Sequence, residues 1–373
     1  MPKILYLVTE DWFFCRHFLP MGRAARSAGF DVTVAARASA AAPQIISEGF
    51  RFVEFHNDRG SLGLIEALRN IARLAAIVHA ERPDIVHCIS IRMALLGGIA
   101  ARMGGTRTMI LAPTGLGGLW VRQDPLARLA RLTARLALGY GLRRPGTHYL
   151  FENVEDPAEF WMNSADSDVS IVDGAGVDPV AFSFSEQPPA PPVKVAIVAR
   201  MLKSKGIPEA VEATLLARSR GVPVELHLFG QPDPPNRLSV TGEALQAWTA
   251  NPGIYWHGYT TDSAGVYRDH HVGMLLSWGG EGLPRTLVEA AATGRPILAT
   301  DVPGCRELVR DGIEGFLVRP RDVEGTSLAL ARLAEDRDLR ARMGAAARTR
   351  FDERFTDHAV RSTMVRLYER FAF

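Results

Sequence analysis

Apolar positions along this chain alternate between two patterns. Short runs at residues 3–8 (KILYLV), 31–35 (DVTVA), 50–55, 84–88 (DIVHC), 106–111, 147–152 and 168–172 read as strands, the first apolar on both faces as in a parallel sheet. Between them, apolar residues recur at helical spacing over 12–28, 62–79, 93–103 and 122–144; Leu64, Ile65, Leu68, Ile71, Leu74 and Ala75 line the second of these. The alternation starts again at 195–199 (VAIVA), with further strands at 224–229, 254–257, 272–277 and 297–300. Helices are expected at 243–249, from Pro284 to near Gly294, and over 322–334, 339–350 and 357–371. Strands that alternate with helices predict an α/β chain.

The break between the two series is residues 185–193 (SEQPPAPPV), whose four prolines continue neither helix nor central strand. The expected organisation is a first domain over 1–184, a stiff linker over 185–193, a second domain over 194–355, and a last helix over 356–373.

Composition narrows the function classes. The 373 residues are long for one core, so two domains are the default. A net charge of +2 argues against a dedicated nucleic-acid binder. Cys15, Cys88 and Cys305 are widely spaced and odd in number, which predicts neither a disulfide framework nor a metal knuckle and suits a reducing cytoplasm. No charge-free apolar run is long enough to span a bilayer, and the opening MPKILYLVTED reads as a buried strand running into acidic residues.

The densest chemistry lies in residues 272–301, VGMLLSWGGEGLPRTLVEAAATGRPILATD, which read as strand, glycine turn, helix and strand. Such a turn places the unpaired N–H groups and positive dipole end of a helix at a strand's carboxyl edge, which is an anion site. Gly282, Leu283, Pro284, Arg285 and Thr286 form that helix start, with Pro284 suited to the first turn. Glu281 lies before the helix and Glu289 roughly 7–8 Å along its axis, so two carboxylates flank the anion site and can each accept a hydroxyl pair. An ordinary surface glutamate and a first-turn dipole partner are the plainer alternatives. Upstream, Arg200 and Lys205 stand in a loop after a strand. Only four of the 43 basic residues are lysines, and two of them, Lys203 and Lys205, fall here. A compact lysine charge and a planar arginine fork both suit phosphate.

These residues, with Asp301-Val-Pro-Gly304, Glu307-Leu-Val, Asp311-Gly, Gly315-Phe-Leu-Val and Pro320, resemble the carboxyl-terminal half of the family 4 glycosyltransferases. The resemblance covers most of 193–353 and is weaker before it. It implies the GT-B fold: two Rossmann-like domains facing a cleft, with a carboxyl-terminal crossover helix. It further implies a retaining, metal-independent hexosyltransferase that uses a nucleotide sugar, of the uridine diphosphate type, as co-substrate and needs no cofactor. Arg200 and Lys205 match the family's diphosphate-binding pair, Glu281 the residue that orients the transferred sugar, and Glu289 the ribose ligand. Gly230, Gly258 and Tyr259 match the donor and nucleobase loops. The implied acceptor is a polyprenyl-diphosphate-linked saccharide in cell-surface polysaccharide assembly. A soluble acceptor, or a non-catalytic nucleotide-sugar-binding role, are the alternatives.

The first βα turn lacks a GxGxxG fingerprint and carries Glu10-Asp11-Trp12-Phe13-Phe14-Cys15-Arg16-His17 instead. Trp12, Phe13, Arg16 and His17 can offer apolar contact and cations to a lipid diphosphate, or the aromatics can simply pack the helix on the sheet. A second glycine turn follows residue 111; the resemblance implies that this segment faces the donor sugar and the acceptor, which makes Thr114 and Gly115 further acceptor candidates. His87 is read as structural. Residues 122–144 hold six arginines against Asp124, with Leu126, Leu129, Leu132, Leu136 and Leu138 at helical spacing. The expectation is that the leucines pack inward while the arginines face an anionic membrane, placing the enzyme in the cytoplasm, peripherally on the inner membrane. Asp166-Ser167-Asp168 is read as a turn and not a metal site.

Overall fold

The computed structural model describes residues 1–55 and 63–372. The chain divides into two compact units, one of Met1–Gly176 with Asp357–Phe373 and one of Val177–Thr356. The division falls before the proline-rich run and not at 184/185. Residues 185–187 are held inside the second unit: the Arg295 guanidinium donates to the carbonyls of Ser185 and Glu186, and Arg340 Nε donates to Gln187.

The first unit is a seven-stranded parallel sheet in the order β3-β2-β1-β4-β5-β6-β7. Its strands are β1 (Lys3–Glu10), β2 (Asp31–Arg37), β3 (Arg51–Glu54), β4 (Ile85–Ile89), β5 (Thr108–Ala112), β6 (Thr147–Phe151) and β7 (Val169–Ile171). The central strands are buried on both faces, as unbroken apolar runs require, with separate cores on the two sides. The second unit is a six-stranded parallel sheet, β10-β9-β8-β11-β12-β13. It contains β8 (Val193–Val198), β9 (Val224–Phe229), β10 (Ile254–Gly258), β11 (Val272–Leu275), β12 (Ile297–Thr300) and β13 (Gly315–Val318). In each sheet the order reverses once, between β1 and β4 and between β8 and β11. Crossovers leave the two flanking strands there in opposite directions, which opens a crevice at their carboxyl ends. β13 escapes the sequence reading because it has four residues beginning with glycine; pairing with β12 defines it.

Several helices differ from expectation. The 12–28 stretch is two helices, Asp11–His17 and Leu19–Ser27, with Pro20 in the first turn of the second. The helix expected from Leu62 runs Leu64–Glu81, and its expected start lies outside the described residues. Pro284 is the residue before the helix, which runs Arg285–Ala292; its backbone is still extended at ψ 102°.

The largest correction concerns 122–144. The helix spans Pro125–Leu136 and widens into a π turn at Ala137–Gly141. Leu126, Leu129, Leu132 and Leu136 are exposed, between 47% and 68%, while Ala127, Ala134 and Leu138 face the core. Arg131 turns inward and Arg122, Arg135 and Arg143 turn to neighbouring carboxylates, while Arg128 and Arg144 are exposed. Arg131 Nη1 donates to the carbonyls of Leu119 and Arg122, Arg135 pairs with Glu159, and Arg122 pairs with Asp124. Small alanines let the helix approach closely, and the part-buried carbonyls and Glu159 take the guanidinium donors.

The Asp357–Glu369 helix packs within the first unit, burying Val360, Met364, Leu367 and Tyr368. The Tyr368 hydroxyl lies 2.7 Å from the Tyr6 hydroxyl and 3.0 Å from His87 Nδ1. Burial pushes His87 down to about 3, so it is a neutral hydrogen-bonding partner of this helix.

Candidate functional site

The strand reversal in the second sheet decides which loops meet. Residues after β8 and after β11 leave neighbouring strands at the same edge. Lys205 ends a 3-10 turn, Lys203–Lys205, that leads through Gly206 into the Ile207–Ser219 helix. Gly206 has φ +72°, and a Cβ there would stand 2.2 Å from the Leu276 carbonyl oxygen, so only glycine lets the two loops approach this closely. Across that contact the Trp278 N–H donates to the Ser204 carbonyl at 2.9 Å, and Lys205 Nζ donates to Glu281 Oε1 at 2.6 Å.

Glu281 Oε1 also accepts from Ser277 Oγ at 2.6 Å. The Ser277 carbonyl in turn accepts from Thr300 Oγ1 at 2.6 Å, tying the turn to β12. Burial would raise the Glu281 carboxyl, but Lys205, Ser277 and Arg200 together hold it below the ordinary glutamate range. Trp278 is clamped in the same turn: its Nε1 donates to Glu209 at 2.8 Å, and the Arg321 guanidinium lies 3.8 Å from its ring centre. Arg200 reaches Asp233 at 2.6 Å and is 58% exposed, so its guanidinium is tethered at the rim while its charge still acts on Glu281.

On the Arg285–Ala292 helix, Arg285 Nε donates to Glu289 Oε1 at 2.9 Å. Glu289 is 2% exposed, and its Oε2 is buried with no hydrogen-bond partner among the described residues. A buried carboxylate oxygen without a donor costs free energy, which makes this oxygen a natural acceptor for a ligand hydroxyl. Thr286 Oγ1 bonds the Tyr267 hydroxyl, and Leu283 is packed in the core. Gly230, just after β9, and Gly258, the end of β10, are joined by a 2.6 Å bond from the Gly230 N–H to the Gly258 carbonyl. A Cβ at Gly230 would stand 1.8 Å from the Ala199 carbonyl oxygen. Tyr259 is exposed beside them; His257 stacks on Phe229 and bonds His227 at 3.0 Å.

The acceptor candidates all lie in the first unit. Trp12, Phe13, Arg16 and His17 share one side of the Asp11–His17 helix, while Phe14 and Phe18 are buried beneath it. Trp12 and Arg16 are exposed, and the Phe13 ring is 4.8 Å from that of His17. Buried Asp11 anchors the neighbouring loop by accepting from the Ser39 N–H and hydroxyl, each at 2.6 Å. Thr114 and Gly115 are half-buried after β5, with Gly115 at φ +85°. Arg143 holds both carboxylates of the Asp166–Asp168 pair, at 2.7 Å each.

Sequence reading missed Ser277, Trp278, Glu209, Thr300 and Arg321. Ser277 and Trp278 lie in the turn itself, while Glu209, Thr300 and Arg321 act on it from three other parts of the chain, which local spacing does not mark. It also missed Asn153 and Asp156, both buried in the segment after β6. Burial pushes the Asp156 carboxyl up to about 7.

The Lys205–Glu281 pair and the buried Glu289 thus stand on loops and a helix at the carboxyl edge of a doubly wound parallel sheet. Residues 192–336 match the family described as glycosyl transferases group 1, and residues 3–140 match that described as glycosyl transferase 4-like. The chain belongs to the family 4-like glycosyltransferases, with the GT-B fold.

Among its relatives is the capsular polysaccharide biosynthesis glycosyltransferase CapM of Staphylococcus aureus. It is 25% identical over 177 residues, 48% of this chain and 46% of CapM. The N,N'-diacetylbacillosaminyl-diphospho-undecaprenol alpha-1,3-N-acetylgalactosaminyltransferase of Campylobacter jejuni is 22% identical over 86% of each chain. The match to CapM thus spans about half of that relative's length, whereas the Campylobacter match is nearly end to end. Among solved structures, sucrose-phosphate synthase from Thermosynechococcus elongatus superposes with a TM-score of 0.79 over 99% of both chains at 19% identity. Anabaena HepE, solved with UDP and glucose, does so at 0.75 and 16% identity, over 98% of this chain and 99% of that one.

Proposed function

We propose that this chain is a retaining, metal-independent glycosyltransferase of cell-surface polysaccharide assembly. It moves a sugar from a nucleotide sugar, of the uridine diphosphate type, to a polyprenyl-diphosphate-linked saccharide at the cytoplasmic face of the membrane. The observation that carries the reading is the Lys205–Glu281 contact beside a helix start. One cation and one carboxylate stand beside a helix start, whose positive dipole end favours an anion, as a diphosphate joined to a sugar requires. The UDP complex of Anabaena HepE and the undecaprenol-linked substrate in the Campylobacter relative's name support donor and acceptor class respectively.

In this reading Lys205 keeps two of its three N–H donors for phosphate oxygens while the third holds Glu281. The helix start at 284–286 and Arg200 take up the remaining charge on the departing diphosphate. Glu281 Oε1 is occupied by Lys205 and Ser277, so Oε2 receives a hydroxyl of the transferred sugar. Glu289 Oε2 receives the ribose diol. The acceptor hydroxyl attacks from the face the diphosphate leaves, and a diphosphate oxygen takes its proton. Trp12, Phe13, Arg16, His17, Thr114 and Gly115 serve the acceptor.

Among the described residues no helix is long and apolar enough to cross a membrane, so the chain meets its lipid-linked acceptor from the surface, through residues 122–144. The test is a panel of nucleotide sugars, each with and without a detergent-solubilised polyprenyl-diphosphate sugar. Turnover of one uridine diphosphate sugar with the lipid acceptor alone is expected. Transfer to soluble sugars would remove the lipid-linked acceptor, and binding without turnover throughout would remove the enzyme.

A further inference from the structure

The exposed face of the Pro125–Leu136 helix is apolar where an ordinary sheet-covering helix is polar. Leu126, Leu129, Leu132 and Leu136 are 68%, 61%, 47% and 49% exposed and follow one another at steps of three and four residues, on one side of the helix. Tyr140, 66% exposed, extends the row into the π turn. Trp161, 48% exposed, stands against it with ring centres 5.3 Å apart. The row is roughly 20 Å long at 1.5 Å per residue. Four solvent-facing leucines in one line, ending in a Tyr–Trp pair, form a contiguous apolar surface rather than scattered single residues.

What covers this face follows from its charge. Of the six arginines in residues 122–144, Arg122 pairs with Asp124, Arg135 with Glu159 and Arg143 with Asp166 and Asp168, while Arg131 donates to backbone carbonyls. Arg128 and Arg144 are exposed on the segment. A second copy laid on this face would bring cation against cation, which disfavours association. An anionic bilayer accepts both parts: leucines enter the acyl boundary, Tyr140 and Trp161 lie at headgroup depth, and the arginines meet lipid phosphates.

We infer that the leucine face of Pro125–Leu136, with Tyr140 and Trp161, inserts into the interfacial layer of an anionic membrane. This rests on the lipid-linked acceptor proposed above and reverses the orientation read from sequence, in which arginines alone faced lipid. Insertion, not charge, is then the main anchor. Arg131 binds the carbonyls of Leu119 and Arg122, so the inserted helix and the segment after Thr114–Gly115 are held together. A helix lying in the interface therefore sets that segment at the bilayer surface, where the saccharide of a lipid-anchored acceptor protrudes.

The test is flotation of the full chain with vesicles of phosphatidylethanolamine and phosphatidylglycerol, compared with phosphatidylcholine alone. Variants are Leu129→Ser with Leu132→Ser, and Arg128→Gln with Arg144→Gln. The leucine variant is expected to lose at least tenfold in vesicle affinity, from the apolar surface no longer buried, with an unchanged melting temperature and unchanged hydrolysis of the donor. The arginine variant is expected to lose only a few-fold, and high salt to remove only that part. Wild-type flotation by the leucine variant, or complete release by salt, would overturn insertion. So would failure of the wild type to float, or a dimer in size-exclusion that the leucine changes dissolve. Full flotation without transfer to a lipid-linked acceptor would instead retire the acceptor reading and leave the membrane face standing.

Discussion

Lys205 Nζ lies 2.6 Å from Glu281 Oε1 although 76 positions separate them in the chain. The pair exists because β8 and β11 are neighbours, and Gly206 lets their loops touch. Several outcomes depend on it.

Lys205→Ala is expected to lower kcat/KM by about 10²–10³, as removal of one preorganised donor to a developing charge does. It also removes the nearest cation from Glu281, so that carboxyl titrates at higher pH. In the wild type the depressed Glu281 pKa contributes stability above the unfolded glutamate value, lost only as pH falls through the lower folded value. The acid limb of activity should therefore move upward in Lys205→Ala. An unmoved limb would remove Glu281 from the site.

Glu289→Ala is expected to act on donor binding. The loss of a charged hydrogen-bond acceptor for the ribose diol is worth about 1.5–3 kcal/mol, or roughly 10- to 150-fold in Kd for uridine diphosphate by calorimetry. Unaltered affinity would assign Glu289 to holding Arg285 alone.

Gly206→Ala tests the close approach of the two loops. With φ +72° and the Leu276 carbonyl in the way, the substitution should cost more than about 2 kcal/mol in urea unfolding. Surviving folded protein should show activity reduced like Lys205→Ala. A stable, active variant would mean that the loops separate freely.

Asp156 gives a signed pH dependence. Its carboxyl is raised to about 7 by burial, with Glu159 and Glu155 adding to the rise against a bond from Asn153. An acid with a raised folded pKa binds more protons folded than unfolded, so stability falls as pH rises from about 4 to about 7. Asp156→Asn should match the wild type near pH 4 and exceed it at pH 8, by up to about 4 kcal/mol at 1.36 kcal/mol per unit. Equal stability at both pH values would show that the carboxyl titrates normally.

Much of this protein is legible in its sequence. Unbroken apolar runs such as residues 3–8 and 272–275 fix strands buried on both faces, because a chain in a covered parallel sheet has no solvent side. The glycine turn before residues 285–292 marks the proposed anion site, because backbone geometry there depends on local residue type. Tertiary structure alone decided which loops meet. Strand order depends on crossover connections that local periodicity does not record, so the union of Lys205 with Glu281, or of Arg143 with Asp166 and Asp168, cannot be read along the chain. The helix of leucines and arginines shows the same limit. Its spacing establishes two stripes, but which stripe faces inward depends on what the neighbours offer. Here the carbonyls of Leu119 and Arg122 and the carboxylate of Glu159 draw Arg131 and Arg135 in, alanines allow the close packing, and the leucines are left facing out.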